Sequence, residues 1–363
     1  MSSEVFSMIV LAMEGFVGSL LTMLLLYRPA RSFRLFSSRT SPKKHDEQIP
    51  LVGGIAIAIV IALSHIFLFD SLDRSFSAVL ICSYVLMIIG IVDDRWEISS
   101  TLRFGLQTAI VLTATIVSGI SIVNLGGVFS FSESLVLSPS IGLIFTAFCL
   151  VGVINATNMA DGIDGLLGSL LTISVCAVIL VSTTNGVNNI FVFSSILIGC
   201  LIAFLILNFG LFGKRLKLFL GDAGSTFLGF ILGYFLIVLS QGESPTISTV
   251  SAGWIFGFPI IDSVSVIVSR LRAGSSPFKA DRNHFHHKLI DTGFSPIHTV
   301  VIIVAIQIVI VFTGVSSNSI GVDSSIFFYL FVAITVVFHF YVDELCQLLW
   351  SIGKRSRVIR VVP

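Results

Sequence analysis

Five aspartates stand at the ends of apolar runs in this chain. They are Asp93 and Asp94 in I-V-D-D-R-W, Asp161 and Asp164 in N-M-A-D-G-I-D-G, and Asp222 in F-L-G-D-A-G-S. Converging carboxylates repel one another unless a cation sits among them, and hard oxygen donors suit Mg²⁺ or Mn²⁺. Mg²⁺ commonly takes one or two protein carboxylates and leaves its other positions to water and substrate phosphates. Asn158, Asp161 and Asp164 follow one another at i, i+3, i+6, which on a helical turn sets neighbours close together. Gly162 and Gly165 let backbone or a ligand approach there. A helix starting at Asp222 would offer free N–H groups to phosphate oxygens. Interfacial anchoring explains any one of these acids, but not acids at one depth from three distant stretches.

A second group lies in S-S-P-F-K-A-D-R-N-H-F-H-H-K, with His284, His286 and His287. Helical zinc pairs sit at i, i+4, and H-E-x-x-H is missing. With Arg282, Lys279 and Lys288 beside the histidines, a cationic donor cluster for phosphate is the better reading. A solvated basic loop would account for Lys and Arg but not for the histidines. Gly53 and Gly54 in P-L-V-G-G either bring backbone against a ligand or pack helices. Asp262 lies inside an apolar run, where an acid is expensive. It supports the histidine loop or bonds a neighbouring helix.

The elements that must position these groups follow from composition. Of 363 residues, 55% are hydrophobic and 11% charged, against roughly a quarter charged in soluble proteins. That excludes a soluble enzyme, a basic nucleic-acid module and a disordered chain. Apolar runs of spanning length lie near 5–27, 51–69, 76–92, 102–120, 141–157, 165–183, 190–209, 223–240, 247–268, 297–314 and 324–345. They lack the alternation of barrel strands, so helices are expected. The fold class is an all-α polytopic membrane protein of about 11 spans. With the N-terminus outside, every lysine and arginine except Arg74 falls inside, as the positive-inside rule requires. The C-terminus and all five motif acids then face the cytosol. One catalytic domain over 1–363, with a short basic tail at about 346–363, fits this layout. The five cysteines show no C-x-x-C spacing and read as small buried hydrophobes.

D-D-R-W-E-I-S, N-A-T-N-M-A-D-G-I-D-G-L, G-D-A-G-S and D-R-N-H-F-H-H occur in this order, with P-L-V-G-G before them. Together they resemble the polyprenyl-phosphate N-acetylhexosamine-1-phosphate transferases from about Pro50 to His287. The H-x-H-H form is similar to the branch that begins O-antigen and common-antigen synthesis, and unlike the muramoyl-pentapeptide branch. The resemblance implies N-acetylglucosamine-1-phosphate transfer from UDP-N-acetylglucosamine, a UDP-N-acetylhexosamine, to undecaprenyl phosphate. It implies Mg²⁺, with Mn²⁺ as substitute, held by Asp222 and Asn158. Asp161 would orient the diphosphate or metal waters, and Asp164 would bond the uracil stacked on Phe219. Asp93 and Asp94 would lie beside the lipid phosphate, the first as base, metal-shell or acceptor-positioning group. Arg103 would also be near that phosphate, and Lys43 or Lys44 near the nucleotide. His284, His286, His287 and Arg282 would hold the sugar-linked phosphate or the sugar.

The implied setting is the lipid bilayer of a bacterial cytoplasmic (inner) membrane. No nucleic-acid partner is expected, and a homodimer is left open. The main rival is a transporter of an anionic solute or divalent cation, which would place its site near the bilayer midplane. An envelope-complex scaffold is a third reading, and it would not need five acids at one depth.

Overall fold

The computed structural model describes residues 3–33, 35–36, 49–68, 74–129, 134–183, 189–278, 281–320 and 322–355. Helices dominate, and among the described residues the extended pairings are two isolated bridges, Phe36 with Pro50 and Asn124 with Val136. The helices are α1 (Ser3–Tyr27), α2 (Pro29–Phe33), α3 (Gly53–Leu68), α4 (Arg74–Trp96), α5 (Ser100–Ser118), α6 (Pro139–Ala160) and α7 (Leu166–Ser182). They continue as α8 (Asn189–Asn208), α9 (Gly221–Ser240), α10 (Thr249–Ile255), α11 (Gly257–Arg272), α12 (Phe285–Thr292), α13 (Pro296–Ile320) and α14 (Ser324–Arg355).

Eight of these helices are long and apolar enough to cross a membrane. With large apolar side chains exposed on the outside, such as Leu25, Phe148 and Phe312, the chain is a multi-pass membrane protein. Each of the eleven apolar runs is helical, but three depart from a simple span. α3 and α7 have 16 and 17 residues, roughly 25 Å at 1.5 Å per residue, short of a hydrocarbon core of about 30 Å. The run over 247–268 is not one straight helix: α10 and α11 meet at 84°. The break is held from outside. Gln307 of α13 accepts from the Phe258 N–H at 3.0 Å and donates to the Ile255 carbonyl at 2.9 Å, satisfying groups that a continuous helix would pair internally. The tail also differs from expectation, since α14 continues through 346–355.

α9 is the central helix, buried along nearly its whole length, with α3, α4, α6 and α10 packed around it. Gly54 sets the approach of α3. A Cβ there would lie 2.0 Å from the Gly224 Cα, a backbone clash that side-chain motion cannot relieve. We expect Gly54→Val to destabilise the bundle by about 3 kcal/mol and to remove most monodisperse protein from detergent extracts. A normal elution peak would show that α3 does not depend on this contact.

Candidate active site

The α4 end, the α6–α7 turn and the α9 start meet around a pocket of about 370 Å³. Its walls carry Asp93, Asp94, Asn158, Asp161, Asp164, Phe219 and Asp222, with Phe36, Leu51, Glu97, Gly162 and Asn208 among the rest. All five aspartates expected from the sequence therefore reach one place. α6 stops at Ala160, so Asn158 rides on the helix while Asp161 and Asp164 ride on the turn after it. They do not share one helical turn.

Each acid has its own partner. Asp94 accepts from the Asp222 N–H at 2.8 Å and the Ala223 N–H at 3.2 Å. It caps α9, and those two amides are thereby occupied rather than offered to a phosphate. Asp93 accepts from the Ile98 N–H at 2.9 Å and pairs with Arg103. Arg103 also stands 3.6 Å from Asp222 Oδ2. Asn158 donates to Asp222 Oδ1 at 2.5 Å and to Ser225 Oγ at 3.1 Å. Asp164 pairs with Lys217.

The Asn158–Asp222 contact tests the metal expectation. Turning the Asn158 amide over would set its oxygen against the Asp222 carboxylate, giving two hard-oxygen donors at the pocket wall. That donor set fits an ion completing its shell with water and phosphate oxygens. No cluster of three or more His, Cys, Asp or Glu able to hold a metal occurs among the described residues, which speaks against an all-protein cage.

The histidine loop does not line the pocket but stands against its wall at Gly162. A Cβ on Gly162 would lie 2.1 Å from His286 Nε2, so only glycine lets the imidazole rest on the 161–165 turn. Asp262 anchors the loop: its Oδ2 is 2.8 Å from His284 Nδ1, and its Oδ1 accepts the Phe285 N–H at 2.9 Å. That decides its role in favour of loop support. His286 Nε2 is buried without a hydrogen-bond partner among the described residues.

The cluster is less cationic than the sequence suggested. Burial first, then the charge of His287, pushes His286 down to about 3; burial and Arg282 lower His287 too. His286 is thus a neutral imidazole at neutral pH. Arg282 turns away: it bonds Asp291 at 2.9 Å, both side chains largely exposed, and it does not line the pocket. His284, His286 and His287 do not line it either. The N–H groups of Gly53 and Gly54 bond the Phe219 and Leu220 carbonyls at 3.0 and 3.2 Å, so both glycines hold the segment before α9. Lys43, Lys44 and Lys279 lie outside the described residues.

The His286 shift has a measurable consequence. Its folded value lies below the ordinary 6.5, so between those values the unfolded chain binds the extra proton. Stability is therefore full above pH 6.5 and falls on acidification, by at most about 1.4 kcal/mol per pH unit. Melting temperatures of the purified protein should drop from pH 7 to pH 5, and His286→Gln should flatten that slope. An unchanged slope in the variant would place the titration elsewhere.

Residues 76–240 match the sequence profile of glycosyl transferase family 4. A Haemophilus influenzae protein is 34% identical over 349 residues, covering 94% of this chain and 95% of its own length. The chain belongs to glycosyl transferase family 4. An Escherichia coli K12 relative is 38% identical over 256 residues, 70% of this chain and 68% of its own. A Yersinia pestis relative is 35% identical over 273 residues, 75% and 74% of the two chains. All three relatives bear the name undecaprenyl-phosphate alpha-N-acetylglucosaminyl 1-phosphate transferase. The family profile covers the five aspartates, Asn158, Arg103 and Phe219, and stops before the histidines. In this family 4 chain the sequence did not single out Asn208, which lines the pocket, or Lys217, which bonds the wall residue Asp164. Lys217 sits two residues before Phe219 in K-L-K-L-F-L-G-D, a proximity that could have flagged it. Asn208 receives the Gly165 N–H at 2.6 Å and donates to the Leu218 carbonyl at 2.9 Å, tying the acid turn to the α9 approach. Buried Arg270 bonds Asp281 at 2.8 Å and the Pro277 carbonyl at 2.6 Å. Against the upward push of burial, these contacts hold Asp281 down at about 2.

Proposed function

We propose that this family 4 protein transfers N-acetylglucosamine-1-phosphate from UDP-N-acetylglucosamine to undecaprenyl phosphate. The products are undecaprenyl-diphospho-N-acetylglucosamine and UMP, and the step begins O-antigen or common-antigen type glycan synthesis at the cytosolic face of the inner membrane. The carrying observation is the convergence of Asp93, Asp94, Asn158, Asp161, Asp164 and Asp222 on one pocket, together with relatives that bear this enzyme name.

The acceptor oxygen attacks the sugar-linked phosphorus of the UDP-sugar, the P–O bond to UMP breaks, and UMP leaves with the electron pair. A phosphate monoester has its second pKa near 6, so the acceptor is largely dianionic at neutral pH and needs no strong base. Phosphoryl transfer depends on positioning and charge stabilisation. Asp222 and Asn158 would hold Mg²⁺ or Mn²⁺, which supplies neutralising charge to the diphosphate. Arg103, paired with Asp93, would meet the lipid phosphate, and Asp94 holds the start of α9 in register. His286 would donate as a neutral imidazole to a phosphate or sugar oxygen. Asp161 would orient the diphosphate, while Asp164 and Phe219 receive the uracil.

Transport is disfavoured because Asp93 and Asp94 end α4, Asn158 ends α6 and Asp222 begins α9, away from the helix midpoints. The test mixes purified protein with UDP-N-acetylglucosamine, undecaprenyl phosphate and Mg²⁺ and measures UMP. Release that depends on lipid is expected; no UMP under varied metals and lipids would refute the proposal. Direct competition by UDP-N-acetylgalactosamine decides whether another UDP-N-acetylhexosamine is the donor.

A further inference from the structure

Lys217 sits between the 3₁₀ turn Lys214–Leu216 and α9. Its ammonium bonds Asp164 Oδ2 and stands 5.4 Å from the centroid of the Phe219 ring. Asp164 and Phe219 both line the pocket. The pair is only partly exposed, 19% for Lys217 and 31% for Asp164, so solvent screens it less than a surface pair. The other carboxylate oxygen of Asp164 is buried and has no hydrogen-bond partner among the described residues. Buried acceptors are normally satisfied, and a donor arriving with a ligand would satisfy this one.

We propose that Lys217 is a positioning residue that sets nucleobase specificity by fixing the Asp164 carboxylate beside Phe219. The inference rests on the UDP-sugar reading above and deepens it. An ionised carboxylate only accepts hydrogen bonds. Uracil presents an N–H at ring position 3, whereas cytosine presents a bare nitrogen there, so a charged Asp164 pairs with the first and faces the second acceptor to acceptor. Sites built this way reject the mismatched partner by leaving polar groups unpaired. The ammonium pins one oxygen of Asp164, which leaves the other turned to a ligand's donor. Through the face of Phe219 it also restrains the ring on which a base would stack.

The test measures UMP and CMP binding by calorimetry on the detergent-purified protein, beside steady-state transfer from UDP-N-acetylglucosamine. Lys217→Met should weaken UMP at least tenfold and CMP less than threefold. It should raise KM for the UDP-sugar by a similar factor with kcat within about threefold. Lys217→Arg should recover most of the loss, and Lys217→Met combined with Asp164→Asn should be little worse than Asp164→Asn alone. Should the Met variant aggregate, Lys217→Gln carries the same expectations. Unchanged UMP affinity, equal weakening of UMP and CMP, or additive losses in the double variant would overturn the inference. Wild-type protein that binds UMP but transfers nothing would refute the reaction and leave the role of Lys217 standing. Transfer that is indifferent to Lys217 would do the reverse.

Discussion

Asp222→Asn is expected to lower transfer by at least about 10³, close to 4 kcal/mol of barrier, in a protein that still inserts and elutes normally. The substitution keeps the shape of a side chain that begins the central helix and removes only its charge. The α9 cap survives, because Asp94 bonds the backbone N–H groups of Asp222 and Ala223, not the side chain. Asn158 and Ser225 keep a partner within reach. What disappears is the one carboxylate that meets both Asn158 and Arg103. Two neutral amides hold a divalent ion poorly among phosphate oxygens. Arg103 would keep its stronger contact with Asp93, so the acceptor side should persist. The variant should therefore fall mainly in kcat and need far more Mg²⁺ for its residual rate. Near-normal activity at ordinary Mg²⁺ would refute the metal role; an equal loss of folded protein would make Asp222 structural. Chelation should abolish wild-type transfer, and added Mg²⁺ should restore it.

How much of this was legible in the sequence depends on the range of the interaction. The apolar runs were readable because a bilayer imposes length and composition on each segment alone. The acids stood out because three distant stretches each place acids at one depth, and the five aspartates do line one pocket. Partners distant in sequence were not readable. Nothing near Asp94 says that its carboxylate caps a helix starting at Gly221. The break before α11 sits in the uniformly apolar G-W-I-F-G-F, and Gln307 stabilises it from another helix. Pro259 does not make the break: it lies in the first turn of α11, where proline is tolerated. Basic residues were hard to rank from sequence. Arg282 pairs at the surface with Asp291, nine residues on. Lys217 counted only toward orientation, although it sits between two residues of the pocket wall. Charge type set the expectation of a cationic histidine cluster, and burial of His286 overrode it.

Asp262→Ala is expected to lower transfer by about 30- to 100-fold, or 2–3 kcal/mol of barrier, although Asp262 does not line the pocket. The chain of causes runs through α12. This helix has eight residues, too few to hold together without tertiary support, and its N-terminal groups need acceptors. Asp262 of α11 supplies them, to the Phe285 N–H and to His284 Nδ1, at a buried position. Alanine would leave both groups buried and unpaired, at about 1–3 kcal/mol each. The contacts of Phe285 with Phe258 and Phe338 should keep α12 near the bundle but looser. His286 would then leave its place on Gly162, a position tight enough that a Cβ there would lie 2.1 Å from its Nε2. Asp262→Asn keeps one acceptor oxygen and should lose less than tenfold. Hydrogen exchange separates this account from general destabilisation. Amides of Phe285–His287 should exchange at least tenfold faster in the alanine variant, while those of α9 stay protected. Uniformly faster exchange, or full activity with α12 loosened, would break the link between Asp262 and the histidines.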